Sequence, residues 1–211
     1  MGYDITKIKA KGREKSVCGR YYVDDETARE IEKLVREIDN KINRERLTGD
    51  VHPADQAMVL INKDRRVVTA LQRWGFPGFQ KKGVIFNARS ETVLEKPMFR
   101  ESILRRRAVI PCSGFYEWSK NREKAAFYRE GVPILFLAGF YNLGEEDRFV
   151  ILTTNANPFV APVHDRMPLI LEKSEIGDWL SHEEAFRGML AERQIPLKRR
   201  QEYEQQELRL F

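Results

Sequence analysis

At 211 residues, with 42% hydrophobic and 10% aromatic side chains, the chain is long enough to bury one sizeable core, which fits a single domain with at most a short tail. Two cysteines are too few for a disulfide framework, which points to a reducing, cytoplasmic setting; no apolar run reaches a membrane span, and the polar, basic stretch Met1 to Val17 lacks the apolar core of a secretory signal. The formal charge is +5, but residues 1–17 carry Lys7, Lys9, Lys11, Arg13 and Lys15 against Asp4 and Glu14, so +3 of it belongs to this leader and only +2 to the remainder. Net charge is thus a weak argument for a nucleic-acid partner. The local clusters Arg105-Arg106-Arg107, with Arg100 nearby, and Lys198-Arg199-Arg200 are stronger ones, set against the ordinary reading of a solvated charged face.

The first regular element is a helix over Asp24 to Asn43. Ala28, Ile31, Leu34, Val35, Ile38 and Ile42 form a 3.6-residue stripe, and Asp24 or Asp25 can cap it. Short β-like runs follow at Ala57–Ile61, Val67–Leu71, Val84–Asn87, Val109–Trp118, Ile134–Phe140 and Arg148–Thr153, many between Gly, Pro or Asn. Pro97–Arg107 reads as a helix feeding the strand at Val109. Ser174–Leu180 and Glu183–Arg193 read as two short helices, with Ser174 and Ser181 as caps. Strands and helices do not alternate regularly, which argues against a doubly wound parallel sheet. The pattern predicts an α+β domain over residues 18–211, with an antiparallel, barrel-like core and peripheral helices.

Several residues carry chemistry, each with a plainer alternative. Cys18 is flanked by Gly19 and Arg20, and Arg20 suits a thiolate or a phosphate; Cys112, in Val109-Ile110-Pro111-Cys112, reads as structural. Asn87 ends the apolar run Val84-Ile85-Phe86, where an amide orients a substrate or simply satisfies backbone groups. Arg89 offers a planar fork for a phosphate. Glu117 lies among Phe115, Tyr116 and Trp118, surroundings that make a carboxylate costly to ionise and suit a general acid–base; strand alternation equally allows it to point to solvent. His164 precedes Asp165-Arg166-Met167-Pro168, whereas His52 and His182 lie in polar surroundings and read as structural or exposed. Trp74-Gly75-Phe76-Pro77-Gly78-Phe79 is either a stacking platform for bases or a loop tucked on the core. No metal-ligand spacing and no glycine-rich phosphate loop is present, so neither metal nor cofactor is expected.

Cys18-Gly19-Arg20, Trp74-Gly75, Asn87-Ala88-Arg89-Ser90-Glu91-Thr92, Gly114-Phe115-Tyr116-Glu117-Trp118, Thr154-Asn155-Ala156-Asn157 and His164-Asp165-Arg166-Met167-Pro168 occur in the order seen in the SRAP family (SOS response-associated peptidase), which the chain resembles from Cys18 to about Leu180. The resemblance implies a protein of the DNA damage response, and with nothing in the sequence to suggest a dimerisation helix a monomer is expected. Such a protein binds single-stranded DNA and cross-links itself to abasic sites with lyase-like chemistry. It also implies the roles of individual residues: Cys18, Asn87, Glu117 and His164 as catalytic groups, and Arg20, Arg89 and Arg166, with Trp74, as DNA contacts.

The implied chemistry follows from elementary acid–base considerations. An α-amine, with a pKa near 7.7–8.0, is about one-tenth neutral at pH 7, whereas an unperturbed lysine is under about a thousandth neutral. A cysteine at the chain start joins that amine to a thiol, and the pair closes on an aldehyde as a thiazolidine. In the family the reactive cysteine directly follows the initiator methionine; here seventeen residues precede it. Removal of the leader by processing, a true start at Val17, and a retained leader with DNA binding alone are the three resulting expectations. A cysteine peptidase using Cys18, His164 and Glu117 or Asn87, acting on its own leader, is the competing activity. A non-covalent single-strand binding module is the third.

Overall fold

The computed structural model describes residues 19–36, 48–78 and 82–202. The chain enters through strand β1 (Tyr21–Val23) and helix α1 (Asp25–Arg36), then runs through β2 (Gly49–Val51), β3 (Gln56–Lys63) and β4 (Arg66–Trp74). Three short strands follow, β5 (Phe76–Pro77), β6 (Val84–Ile85) and β7 (Asn87–Arg89), then helix α2 (Pro97–Arg105). The central strands are β8 (Arg107–Cys112), β9 (Gly114–Trp118), β10 (Lys124–Tyr128), β11 (Leu135–Asn142) and β12 (Arg148–Asn155). The chain finishes with β13 (Arg166–Pro168), β14 (Ile170–Leu171), helices α3 (Ile176–Ser181) and α4 (Ala185–Met189), and β15 (Lys198–Glu202).

Two sheets dominate. One has the order β15-β10-β9-β1-β2, antiparallel throughout. In the other, β4, β3, β8, β11 and β12 pair in succession, and β12 also pairs with β4, so the strands close in a ring. The pairings of β12 with β4 and with β7 are parallel; the rest of the ring is antiparallel. The expected α+β domain built on a closed, mainly antiparallel core is thus the observed one. Val109–Trp118, one apolar run in the sequence, is two strands. β8 belongs to the ring and β9 to the other sheet, and the chain crosses at Ser113, whose N–H donates to Tyr22 O at 2.9 Å.

The two faces of the ring bury different cores. Val59, Trp74, Ile110 and Phe149 face Tyr21, Phe115 and Phe127 of the five-stranded sheet. On the opposite face Leu60, Val109, Phe140 and Val150 pack with Phe99 and Ile103 of α2, Trp179 of α3 and Phe186 of α4. Each large side chain so buried contributes about 1.5–3 kcal/mol. Helix α1 follows its predicted stripe, with Ala28, Ile31 and Val35 buried, and Thr27 N–H donates to Asp24 Oδ1 at 2.8 Å, which makes Asp24 the cap. The predicted extension to Asn43 lies outside the described residues. Two predicted caps are corrected. The turn at Lys173–Glu175 that precedes α3 starts from a reciprocal Glu172–Glu175 capping box instead of Ser174, and Ser181 Oγ accepts a bond from Asn62 Nδ2 at 2.7 Å instead of capping α4.

Candidate functional site

The segment from Asn155 to Arg166 builds one wall of the site. Asn157 organises it: its side-chain oxygen accepts the N–H groups of Phe159 and Val160, and its amide nitrogen donates to Ile195 O at 2.8 Å. His164 N–H donates to Val160 O at 3.1 Å and Ala156 N–H to Asp165 O at 3.0 Å, so the loop is tied at both ends of its turn. His164 is thereby held with its side chain only 10% exposed. Its Nδ1 accepts the Arg166 N–H at 3.0 Å, which in the neutral ring leaves the proton on Nε2; Asp165 Oδ1, 3.1 Å from the same Nδ1, meets an N–H there when the ring is protonated.

Arg166 anchors this wall to the loop after β7. Its NH2 donates to Glu91 Oε2 at 2.9 Å and to Thr153 O at 2.8 Å, while its NH1 donates to Glu91 Oε1 and, at 2.9 Å, to Asn155 Oδ1. This is a two-pronged guanidinium–carboxylate pair with its arginine nearly buried. Burial pushes the Glu91 carboxyl up, but the bond from Arg166, a backbone N–H and the charges of Arg166 and Arg89 together hold it below the ordinary carboxylate range.

The opposite wall comes from Trp118 at the end of β9 and from Ser119, Lys120, Asn121 and Glu123 beyond it. Glu117 is 1% exposed and alternates with Gly114, Tyr116 and Trp118, so it shares the inward face of Phe115. This decides the alternation question: Glu117 points into the protein. β7 lies along β12 with Asn87 beside Ile151 and Arg89 beside Thr153, which turns Asn87 and Arg89 to the same interior side as Ile151 while Ala88 faces the other core. Arg89 is exposed at the rim. Arg20 enters beside β9, its carbonyl accepting Tyr116 N–H at 3.0 Å, and its guanidinium lies 5.5 Å from the Trp118 ring centroid. Between the walls is a cleft of about 930 Å³ lined by residues that include Arg89, Trp118, Lys120, His164 and Arg166. Cys18, the expected nucleophile, lies outside the described residues.

The expected contacts are not all alike. Trp74 is corrected: it is 0% exposed, its ring packs on Tyr21, Phe86 and Phe149, and its Nε1–H donates to Phe86 O at 2.9 Å, so no base can stack on it. Gly75 beside it has φ +108°, and a Cβ there would come within 2.0 Å of Val84 Cγ1, so the Trp-Gly pair serves the fold. Trp118, half-buried at the cleft wall, is the aromatic that a base can reach. The sequence draws attention to its neighbour Glu117 instead, and alternation placing the two on opposite faces is the signal that could have found it. Arg166 lines the cleft with its fork already engaged by Glu91, a pairing across 75 residues that no local pattern exposes. The Arg105-Arg106-Arg107 cluster is largely turned inward: Arg107 donates to Trp179 O, Leu104 O and Ile103 O and packs 4.4 Å from the Phe186 centroid, while Arg106 pairs with Glu101. Burial pulls the Arg107 guanidinium down from its ordinary value, opposed by the charge of Glu183. Among the described residues no group of three His, Cys, Asp or Glu is assembled that could hold a metal ion, and no helix is long and apolar enough to cross a membrane.

Known proteins resemble this chain in sequence and in fold. The chain is 31% identical over 147 residues to the abasic site processing protein YoaM of Bacillus subtilis, covering 63% of this chain and 65% of that protein. It is 30% identical over 143 residues to the abasic site processing protein YedK of Escherichia coli, covering 64% of each. The chain thus spans just under two-thirds of the length of these curated relatives. A solved structure from Bacteroides thetaiotaomicron superposes with a TM-score of 0.66 at 25% identity, over 82% of this chain and 86% of that one. A phage-related protein from Bordetella bronchiseptica shares the fold, with a TM-score of 0.71 at 18% identity over 89% and 95% of the two chains. With residues 17–207 matching the family as a whole, the chain belongs to the SOS response associated peptidase (SRAP) family.

Proposed function

We propose that the protein binds single-stranded DNA in this cleft and captures the aldehyde of a ring-opened abasic site through Cys18, shielding the lesion. One observation carries the reading. The Tyr116 N–H donates to Arg20 O, so the described chain starts alongside β9, the strand that bears the buried carboxylate Glu117 and whose Trp118 lines the cleft with His164. The relatives named for abasic site processing support the same substrate.

The steps balance as a condensation. The α-amine of Cys18 adds to the aldehyde carbon, a C–N bond forms, and one water leaves as the imine appears. The thiol then adds across the C=N bond, its sulfur to carbon and its proton to nitrogen, closing the five-membered ring. Glu117 moves protons in both steps. As the sugar ring opens, the bond from the anomeric carbon to the ring oxygen breaks, His164 gives a proton to that oxygen, Glu117 takes the proton of the anomeric hydroxyl, and Asp165 lies beside His164 Nδ1. Asn87 orients the reacting carbon, and Arg20 and Arg89 hold the flanking phosphates. The chemistry requires Cys18 to be the first residue of the working protein, with residues 1–17 cleaved or never translated.

Intact mass before and after incubation with an abasic single strand tests this. A chain beginning at Cys18 that gains the mass of the DNA less one water is the expected result; a chain that retains residues 1–17 yet forms the same adduct refutes the amine mechanism. Cys18→Ala separates the readings. It abolishes the thiazolidine adduct here, abolishes peptide cleavage for a peptidase, and leaves DNA affinity largely intact for a non-covalent single-strand binding module.

A further inference from the structure

We propose that the outer face of the five-stranded sheet is a second nucleic-acid surface, a track for the single strand that leaves the cleft; the proposal rests on the reading of the cleft as a DNA site. Side chains alternate across β9, β10 and β1, so the face opposite Glu117 and Phe115 carries Trp118, Tyr116, Lys124 and Tyr22. The aromatic rings are in contact in sequence, Trp118 to Tyr116 at 6.4 Å and Tyr116 to Tyr22 at 5.0 Å between centroids, with Tyr116 the buried middle ring and Trp118 and Tyr22 half-buried on either side of it. Lys124 Nζ lies 3.7 Å from the Tyr116 centroid. The ladder starts at Trp118 in the cleft wall and ends at Tyr22, which lines a separate cavity of about 580 Å³ at the far end of the sheet together with Tyr128 and Arg200.

The charges on this face suit phosphates. β15 forms the sheet edge, and the register sets Arg200 opposite Ala126 and Lys198 opposite Tyr128, on the same outer side as Lys124. Arg20, Lys124, Lys198 and Arg200 thus border the aromatic ladder. Asp50, which accepts bonds from Arg20 and Tyr116, and Glu130, paired with Lys198, are carboxylates on its margins. The small residues Gly114 and Ala126 floor the face between these longer side chains. Two-residue steps along a strand are about 6.6–6.8 Å, so Lys124 to Tyr128 spans about 13–14 Å, room for a short run of nucleotides. The half-buried rings of Trp118 and Tyr22, with cations between and beside them, suit a single strand of any sequence, because every base has a π-face and every phosphate a charge. The far cavity mixes Asp24, Glu26 and Glu130 with Arg129 and Arg200.

The test is fluorescence anisotropy on labelled single strands of 6 and about 20 nucleotides, with the wild type, Lys124→Ala/Arg200→Ala, Tyr22→Ala and Tyr22→Phe. In the wild type the longer strand binds more tightly. In the double variant that advantage falls at least about fivefold, and the salt slope of the longer strand drops by about 0.7 for each phosphate that is no longer neutralised. Tyr22→Ala also weakens binding of the longer strand at least about fivefold, and Tyr22→Phe restores it, since stacking needs the ring and not the hydroxyl. Unaltered length dependence and salt slope in a folded double variant would overturn the track. A wild type that binds neither strand fails the cleft reading itself, a result distinct from the first.

Discussion

Glu91→Gln isolates the contact that couples the β7 loop to the histidine wall. The change keeps size but removes the charge that Arg166 meets with two nitrogens, and it turns one of the two acceptor oxygens into a donor NH2. Arg166 is only 11% exposed, so the variant leaves a nearly buried guanidinium to Thr153 O, Thr153 Oγ1 and Asn155 Oδ1. A hydrogen bond to a charged group is worth about 1.5–3 kcal/mol net. Glu91 is itself 39% exposed and screened by solvent, so about 1–2 kcal/mol is the expected loss. For a chain of this size that is a fall in Tm of about 2–8 °C. The pH dependence has a definite sign. A carboxyl held below its ordinary value of 4.5 binds fewer protons folded than unfolded, so its contribution is complete above that value and disappears as pH falls through the lower folded one. Denaturant unfolding of both proteins at pH 7 and again near pH 3 therefore shows a stability gap that narrows in acid. The same variant slows adduct formation by about tenfold for each 1.4 kcal/mol of weakened positioning, because the Arg166 N–H that orients His164 belongs to the clamped residue. A gap of equal size at both pH values, or none at pH 7, refutes the role assigned to the pair.

The two tryptophans divide cleanly. Trp74→Ala, at a fully buried ring, destabilises the fold by about 3–5 kcal/mol in denaturant titration, whereas Trp118→Ala leaves the unfolding midpoint nearly unmoved and weakens single-strand binding by about 1–3 kcal/mol. Gly114→Ala places a methyl group 2.3 Å from Phe127 O and 2.7 Å from Tyr22 Oη, so it lowers Tm by several degrees and disturbs the β9–β10 pairing, visible as faster amide exchange at Phe115 and Tyr128. Burial pushes the Cys112 thiol far up, so a Cys18→Ala protein shows no reaction with a thiol reagent while native and one thiol after denaturation.

What the sequence conveys of this fold depends on the range of each signal. The α1 stripe and the Asp24 cap are local, and both appear where periodicity puts them. The strand runs are local too, but their partners are not, so Val109–Trp118 reads as one strand although its halves belong to different sheets. Side-chain direction follows the same rule. Glu117 stands out in the sequence as a reactive carboxylate, yet which face it takes depends on β9 pairing with β1 and β10, a tertiary fact. Trp74 is the instructive failure. A tryptophan in a Gly- and Pro-broken segment has the composition of an exposed stacking loop, but Gly75 at φ +108° turns the chain so that Val84 closes over it and the indole fills the core. Arg166 shows the complementary case: it lines the cleft, but Glu91 has taken its fork, so what it holds is the wall. A motif therefore reports which side chains the chain must keep at a site. Whether each one meets the substrate or holds another that does is settled by partners distant in sequence, and the Glu91–Arg166–His164 linkage is where the two kinds of role join.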